Sequence, residues 1–173
     1  MDRSGWLEIV PIPYDDAEKR RHMAEKTLLL TVKSRGGMAL EIDFEDEAVA
    51  TLQVDEPPPM GTGSGPDPTQ LLAAAVGSCL TASAVYCFQK SRIQLEGVET
   101  RVRGTIERNP QNRLRVSRID VEVETTFAGE VPRKRVDTCL GLFEDFCTVS
   151  ESVRQGIPIH VDVKEMPHGG GSG

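Results

Sequence analysis

Four cysteines, Cys79, Cys87, Cys139 and Cys147, are the residues of this chain best suited to nucleophilic or redox chemistry. Two cysteines eight residues apart on one unbroken helix are separated by about 12 Å of rise, too far for a disulfide. Any internal disulfide must therefore join the segment around Cys79 to the segment around Cys147. Among the cross-pairs the residues favour Cys79 with Cys147, because Cys147 opens a short helix whose backbone N–H groups can lower a thiol pKa. Cys87 and Cys139 are interpreted as buried fillers, since unpaired cysteine is among the most buried residue types.

Two other uses of cysteine are less consistent with the sequence. A zinc site needs closely spaced cysteine or histidine ligands, and the chain has no CxxC pair. Its histidines, His22, His160 and His168, fall on a charged helix, a strand and a tail. An acyl-transfer enzyme needs a histidine base beside the nucleophile, and only His160 is expected to be ordered. We therefore predict neither a metal ion nor a bound cofactor.

Composition limits the function further. The 173 residues fit one domain, and the formal net charge of −7 argues against a nucleic-acid surface. The first 20 residues contain no apolar run typical of a signal peptide, so we expect a cytoplasmic protein. In that compartment thiols are reduced at rest, and a catalytic or redox role outranks a structural disulfide framework.

The segment from Pro68 to Phe88 has no charged side chain and carries Cys79 at its middle. Apolar residues on every side predict a helix that is buried all round, with Pro68 in its first turn and Asp67 as its cap. A transmembrane helix is the weaker alternative, because polar and small residues dilute the apolar ones. The small residues predict close packing against another helix, either a neighbour or the symmetry mate in a homodimer.

Strand patterns flank this helix on both sides. A hairpin with Arg35 beside Gly36-Gly37 is followed by a strand over 48–54 and a Pro- and Gly-rich loop over 55–67, predicted as a hinge or lid. After the helix come two strands joined by a turn at 109–112, with a bulge predicted near Ser117 and Arg118. Helical spacing over 131–146 places Val136, Leu140 and Phe143 inward, a second helix runs from Cys147 to Gly156, and alternation predicts a last strand over 157–163.

Two segments, PTQLLAAAVGSCLTASA and CTVSESVRQGIPIHVDV, together resemble the family of osmotically inducible protein C (OsmC) and the organic hydroperoxide resistance proteins. The resemblance covers about residues 27 to 163. It implies an α+β, OsmC-like fold, with antiparallel β-sheets wrapped around central helices in an intertwined homodimer. We accordingly divide the chain into an N-terminal extension at 1–26 (an arm and a short helix), an OsmC-like domain at 27–165 and a disordered tail at 166–173.

The resemblance also implies residue roles. The reactive cysteine of the family's peroxidases falls on Cys79, their second cysteine on Cys147, and their assisting arginine on Arg35. The implied chemistry is reduction of an organic hydroperoxide, closure of a Cys79–Cys147 disulfide and its reduction by a dithiol. The sequence departs from the peroxidase pattern at Thr69, where a glutamate that holds the arginine is usual, and at Thr148, where a proline is usual.

The resulting hypothesis is a cytoplasmic, homodimeric thiol peroxidase of the oxidative stress response, acting on an organic hydroperoxide without membrane or nucleic-acid partners. The alternative is a non-enzymatic thiol-redox sensor or a protein that binds a small apolar ligand on the same fold. Thr69 separates the two. Without a carboxylate to hold Arg35 the reaction should be slow and Thr69→Glu should accelerate it, unless an acidic residue from the 41–47 strand already holds Arg35.

Overall fold

The computed structural model describes residues 27–164, which form an α+β fold with two antiparallel sheets, as the sequence predicted. Residues 1–26 and 165–173, with the predicted arm, short helix and tail, lie outside the described residues. The strands are β1 (Thr31–Gly36), β2 (Ala39–Asp43), β3 (Leu52–Val54), β4 (Leu95–Arg108) and β5 (Leu114–Phe127). The helices are α1 (Pro68–Lys90), α2 (Arg133–Leu142) and α3 (Thr148–Gln155), with a 3-10 turn at Phe143–Phe146 between α2 and α3.

The first sheet has the order β1-β2-β3 and contains the predicted hairpin. Gly36 and Gly37 have positive φ values of 105° and 57° at its tip, a conformation that glycine adopts without steric cost. The third strand is shorter than predicted, three residues against the seven of 48–54. Strands β1, β2 and β3 contact one another, and they have no extensive interface with the described helices or with β4 and β5.

The second sheet is a long hairpin of β4 and β5. Thr105 pairs with Arg118 and Ile106 pairs with Val116, so Ser117 is the extra residue of a bulge, as predicted. Because of the bulge, the even-numbered Val116 and the odd-numbered Ile119 and Val121 of β5 all face the same side of the sheet. The sheet thereby keeps one apolar face along its length, and that face receives α1.

Helix α1 begins where the sequence predicted. Asp67 caps it by accepting hydrogen bonds from the backbone N–H groups of Thr69 (2.7 Å) and Gln70 (2.9 Å), with Pro68 in the first turn. A side chain at Gly77 would clash with Val102 of β4, so glycine allows the helix to approach the sheet closely. One turn later, the hydroxyl groups of Thr81 and Thr100 are hydrogen-bonded at 2.6 Å.

Burial of α1 differs from the prediction. Within one chain the helix is buried on one side only, although its length and composition would also suit a membrane span. Core helices of water-soluble proteins meet the same length and composition criterion, and the close packing on β4 favours a core helix here. The exposed side carries a small-residue stripe at four-residue spacing, formed by Ala74, Ser78 and Ala82. Among residues 27–164 these three side chains are exposed, while β4, α2 and α3 pack against α1 elsewhere.

The returning helices follow the predicted order with two corrections. Val136 is buried and Phe143 is half-buried as expected, but Leu140 is 39% exposed, since α2 is a short surface helix with one narrow buried face. Helix α3 ends at Gly156, as predicted, where φ is 75°. The strand predicted over 157–163 is absent from the described chain. Its apolar residues are exposed because none of the strands described between residues 27 and 164 pairs with this segment; Ile159, for example, is 84% exposed.

The core consists of two clusters along α1. The first surrounds Ala84, Phe88, Ile93, Val136 and Cys139. The second is formed by Val76, Leu80 and Cys147, with Phe143 packed against both. Each cluster therefore contains one fully buried cysteine from the returning segment.

The loop predicted as a hinge or lid is closed by hydrogen bonds to a buried carboxylate. Asp55 is 2% exposed, and its Oδ2 accepts hydrogen bonds from the backbone N–H of Thr62 (2.9 Å), the hydroxyl of Thr62 (2.6 Å) and both donors of Ser64 (3.2 and 3.1 Å). These bonds, that of the Thr62 hydroxyl above all, hold the pKa of Asp55 well below its usual range. A charged Asp55 thus ties the loop to the end of β3 and fixes the start of α1.

Candidate active site: a thiol pair beside an apolar cleft

Cys79 and Cys147 are brought together by the packing of α1 against the start of α3. Cys79 lies at the middle of α1 and is half-buried, while Cys147 is the N-cap of α3 and is fully buried. Both belong to the cluster around Val76 and Leu80, and each thiol is close enough to shift the pKa of the other. Both thiols are reduced in this structure.

The environment of Cys147 favours a thiolate. Burial alone would raise the pKa of Cys147. The Ser150 side chain, the Cys79 thiol and the backbone N–H groups of Ser150 and Val149 together lower the pKa by more than burial raises it. The backbone N–H of Ser150 lies 3.4 Å from Cys147 Sγ. This is the helix-start effect that the sequence predicted for Cys147. The sequence analysis missed Ser150, and its position three residues after a capping cysteine is the signal that could have found it.

The environment of Cys79 has the opposite effect. Burial raises its pKa, and the hydrogen bond and charge of Cys147 raise it further. When the pair loses one proton, these shifts favour the remaining proton on Cys79 and the negative charge on Cys147. In that state a buried thiolate lies beside a more exposed thiol, and transfer of one proton between the two sulfurs would exchange the roles.

An apolar cleft of about 460 Å³ lies beside the core cluster of Val76, Leu80 and Cys147. It shares residues with that cluster, but its lining includes neither Cys79 nor Cys147. Val76, Leu80, Ile119 and Phe143 form its apolar wall, and Ser150 reaches it from the start of α3. Its rim is charged and includes Arg118 and the ion pair of Arg154 with Glu144, whose Nη2 and Oε2 atoms are 2.7 Å apart. The volume and lining suit a small apolar molecule that carries one polar group.

Arg35, the third predicted site residue, is not brought to the cysteines of its own chain. Its guanidinium forms an ion pair with Glu41 across the β1–β2 hairpin. The hydrogen bond and the charge of Glu41 raise the pKa of Arg35. Among residues 27–164, no hydrogen bond or ion pair joins Arg35 to Cys79 or Cys147. The carboxylate that the sequence analysis allowed in the 41–47 strand is thus present, as Glu41.

Thr69 has a structural role at the start of α1. Its hydroxyl donates to Asp67 Oδ1 at 2.6 Å, and the Gln70 side chain accepts from the backbone N–H of Asp67 at 2.9 Å, completing a capping box. The residue in the glutamate position therefore supports the helix cap. It forms no contact with Arg35 in the described chain.

Metal binding finds no support in the described part of the chain. No group of three or more histidine, cysteine, aspartate or glutamate side chains there is arranged to hold a metal ion. His160 lies in the exposed segment after α3 and belongs to neither of the core clusters that contain the cysteines.

Fold and site together define an α+β protein with a dithiol beside an apolar cleft. Residues 61–162 match the model of the family described as OsmC-like protein, and the chain belongs to that family. The matched range lies inside the domain predicted at 27–165. Among functionally curated proteins, no match was found.

Solved structures share this fold at low sequence identity. An OsmC-like protein from Mycoplasma pneumoniae is 14% identical, with a TM-score of 0.63 over 75% of this chain and 89% of its own. The organic hydroperoxide resistance protein OsmC from Legionella pneumophila is 17% identical, with a TM-score of 0.56 over 76% and 91%. The organic hydroperoxide resistance protein OhrB of Bacillus subtilis is 20% identical, with a TM-score of 0.54 over 73% and 90%. At these identities the likeness establishes the fold.

Proposed function

We propose that this protein is a thiol-dependent peroxidase that reduces organic hydroperoxides as part of an oxidative stress response in the cytoplasm. The observation that carries the proposal is the packing of Cys79 and Cys147 in one core cluster, next to an apolar cleft that shares Val76 and Leu80 with that cluster. A peroxidase with an internal second thiol needs one accessible sulfur, a second sulfur within bonding reach and room for the alkyl group of the substrate. The half-buried Cys79, the neighbouring Cys147 and the adjacent cleft support such a role.

The proposed reaction starts when the Cys79 proton moves to Cys147 and the Cys79 thiolate attacks the terminal oxygen of the hydroperoxide. The O–O bond breaks, the leaving alkoxide takes the Cys147 proton and departs as the alcohol, and Cys79 becomes a sulfenic acid. The resulting Cys147 thiolate then attacks the Cys79 sulfur and forms the disulfide, and the hydroxide that leaves takes a proton from solvent to give water. An external dithiol reduces this disulfide by two exchange steps, so one hydroperoxide and one dithiol yield one alcohol, one water and one disulfide. No bound cofactor is required.

Arg35 has a place in this proposal only if the protein is a dimer. The first sheet makes few contacts with the rest of its chain, so its hairpin is free to pack on a second subunit. We infer that Arg35 of the partner subunit approaches the thiol pair and stabilises the developing negative charge, since the charge of arginine is permanent. Glu41 would hold the guanidinium in place through a charge-assisted pair.

An intertwined homodimer is expected on the same grounds. A single chain leaves the small-residue stripe of α1 uncovered and exposes Leu29 by 73% and Val161 by 80%, surfaces that a second copy would bury. We predict a dimer in sedimentation at micromolar concentration. Ala82→Glu should shift the population toward monomer, whereas Arg103→Glu, on the solvent-exposed face of β4, should not. A stable, compact monomer of the wild-type protein would contradict the intertwined architecture.

The alternative function is a non-enzymatic thiol-redox sensor or a protein that binds a small apolar ligand. Thr69, which replaces the glutamate of the peroxidase pattern and serves the helix cap, is the observation in its favour. The two functions differ in turnover, because a sensor is oxidised once while a peroxidase cycles.

The test of the proposal is a rapid-mixing experiment. The reduced protein is mixed with an alkyl hydroperoxide in the presence and absence of excess dithiol, and residual hydroperoxide is measured. We expect one equivalent to be consumed per chain without dithiol and continuous consumption with it. Mass mapping of the oxidised protein should then identify a Cys79–Cys147 disulfide. A single slow oxidation with no turnover would favour the sensor, and Cys79 and Cys147 remaining as thiols would refute the proposal.

A further inference from the structure

A second pair of thiols lies at the other end of the same helix. Cys87 is half-buried near the end of α1, and Cys139 is 1% exposed in the middle of α2. Cys87 packs against the cluster that contains Cys139, and Cys139 is close enough to raise the pKa of Cys87. The sequence thus predicted that Cys87 and Cys139 are buried, but it did not predict that the two side chains lie close together.

Ser91 fixes the geometry of this pair. Its Oγ lies 3.1 Å from Cys139 Sγ, and its backbone N–H donates to the carbonyl oxygen of Cys87 at 3.0 Å. The residue that follows α1 is thus bonded to the backbone of Cys87 and to the side chain of Cys139. The Ser91–Cys139 hydrogen bond and the packing of Cys87 on the cluster of Cys139 both hold α2 beside the end of α1.

The two thiol pairs are related by an antiparallel register. Cys79 and Cys87 are eight residues apart on α1, and Cys139 and Cys147 are eight residues apart on the returning segment, so each cysteine of α1 meets one partner. The pairs are separated by about 12 Å of helical rise, which prevents direct exchange between them. They belong to different core clusters and therefore can react independently.

We propose that Cys87 and Cys139 form a second redox site, which closes into a disulfide between α1 and α2 independently of Cys79 and Cys147. The oxidant is a low-molecular-weight disulfide. The more exposed Cys87, as a thiolate, attacks one sulfur of that disulfide and releases one thiol, giving a mixed disulfide. Cys139 gives its proton to solvent through the Ser91 hydroxyl, which lies 3.1 Å from its sulfur, and attacks the Cys87 sulfur, releasing the second thiol. Two protein thiols and one small disulfide give one protein disulfide and two small thiols.

The order and speed of these steps follow from the surroundings. Cys139 has almost no exposed surface, so the oxidant reacts first with the half-buried Cys87. Burial, with the neighbouring Cys139, raises the pKa of Cys87 to about 12. Its thiolate fraction therefore rises about tenfold for each pH unit between pH 7 and 9. The second site should accordingly be slow at neutral pH, whereas the first pair contains one thiol, Cys147, whose pKa is lowered.

The experiment uses the double variant Cys79→Ser/Cys147→Ser with oxidised glutathione at pH 7, 8 and 9. We expect both remaining thiols to be lost, no stable glutathione adduct to accumulate, and the rate to rise about tenfold per pH unit. The matched control adds Cys139→Ser, which should stop the reaction at a glutathione adduct on Cys87. Retention of both thiols in the double variant, or an adduct on Cys87 that never passes to Cys139, would overturn the proposal.

Wild-type protein supplies a readout that does not depend on the variants. Trypsin leaves Cys79 and Cys87 together in the peptide 36–90 and Cys139 and Cys147 together in 136–154, so trypsin cannot assign the bridges. Chymotrypsin can, because Tyr86 lies between the first two cysteines and Phe143 between the others. A Cys87–Cys139 peptide should appear whether or not the protein consumes hydroperoxide. Its absence after prolonged oxidation at pH 9 would refute the second site and leave the proposed peroxidase unaffected.

Discussion

Replacement of Cys79 by serine is expected to lower hydroperoxide consumption by at least about 1,000-fold, because a serine hydroxyl is not ionised at neutral pH and cannot replace the attacking thiolate. Cys79 is the more accessible sulfur of its pair, whereas Cys147 has no exposed surface. The measurement is residual hydroperoxide over time with excess dithiol. Cys87→Ser serves as the matched control, since it removes a thiol of the same helix outside this pair and should leave the rate unchanged.

Cys147→Ser should give a different result. Cys147 raises the pKa of Cys79 through its hydrogen bond and charge, so its removal lowers that pKa and shifts the pH profile of the first oxidation to lower pH. The reaction should then stop at the sulfenic acid of Cys79, which a dimedone adduct would identify, and turnover should fail. If Cys79→Ser instead retained the wild-type rate, the low-pKa thiol Cys147 would be the attacking group and the two roles would be reversed.

Arg35→Ala is expected to slow the reaction of the reduced protein with hydroperoxide by about 100-fold, the effect of losing a positioned charge while the nucleophile remains. Glu41→Gln should slow it less, because the arginine keeps its charge and loses only the carboxylate that directs it. Arg101→Ala is the matched control. Arg101 is also an ion-paired arginine on a strand, but it lies on the wet face of the second sheet with Glu99 and Glu124.

The same experiment tests the role of Thr69. Since Glu41 already pairs with Arg35, Thr69→Glu should bring no acceleration, and it removes the hydroxyl that supports the Asp67 cap. A clear acceleration by Thr69→Glu would mean that Glu41 does not supply the missing carboxylate. That result, with a slow wild-type protein, would favour the sensor or binding function over the peroxidase.

The two thiol pairs and Arg35 differ in whether one chain is enough to form them. Each thiol pair forms by packing of α1 against the returning helices of the same chain, so a single chain contains both pairs. Arg35 lies on a sheet that has few contacts with that chain. The cysteine predictions therefore concern chemistry within a subunit, whereas the arginine prediction also depends on assembly.

Sequence alone was sufficient for features that local chemistry determines. The cap of α1 by Asp67, the glycine turn of the first hairpin and the bulge at Ser117 were all predicted, because capping, positive φ and strand parity depend on nearby residues. The family could also be recognised, since its two motifs stand in order along the chain. The position of Cys147 at the start of a helix, and hence the direction of its pKa shift, follows from the same local signals.

Only the tertiary structure decided which side chains meet. Glu41 was one of several acidic residues near the hairpin, and the register of β1 with β2 selected it as the partner of Arg35. The prediction of a strand over 157–163 was wrong. Alternating apolar residues define the two faces of a strand, but a strand also needs a neighbouring strand to accept and donate its backbone hydrogen bonds. Cys87 and Cys139 were predicted as fillers because burial can be read from residue type. Their pairing depends on the antiparallel packing of α1 and α2, which is set by contacts between residues far apart in the chain.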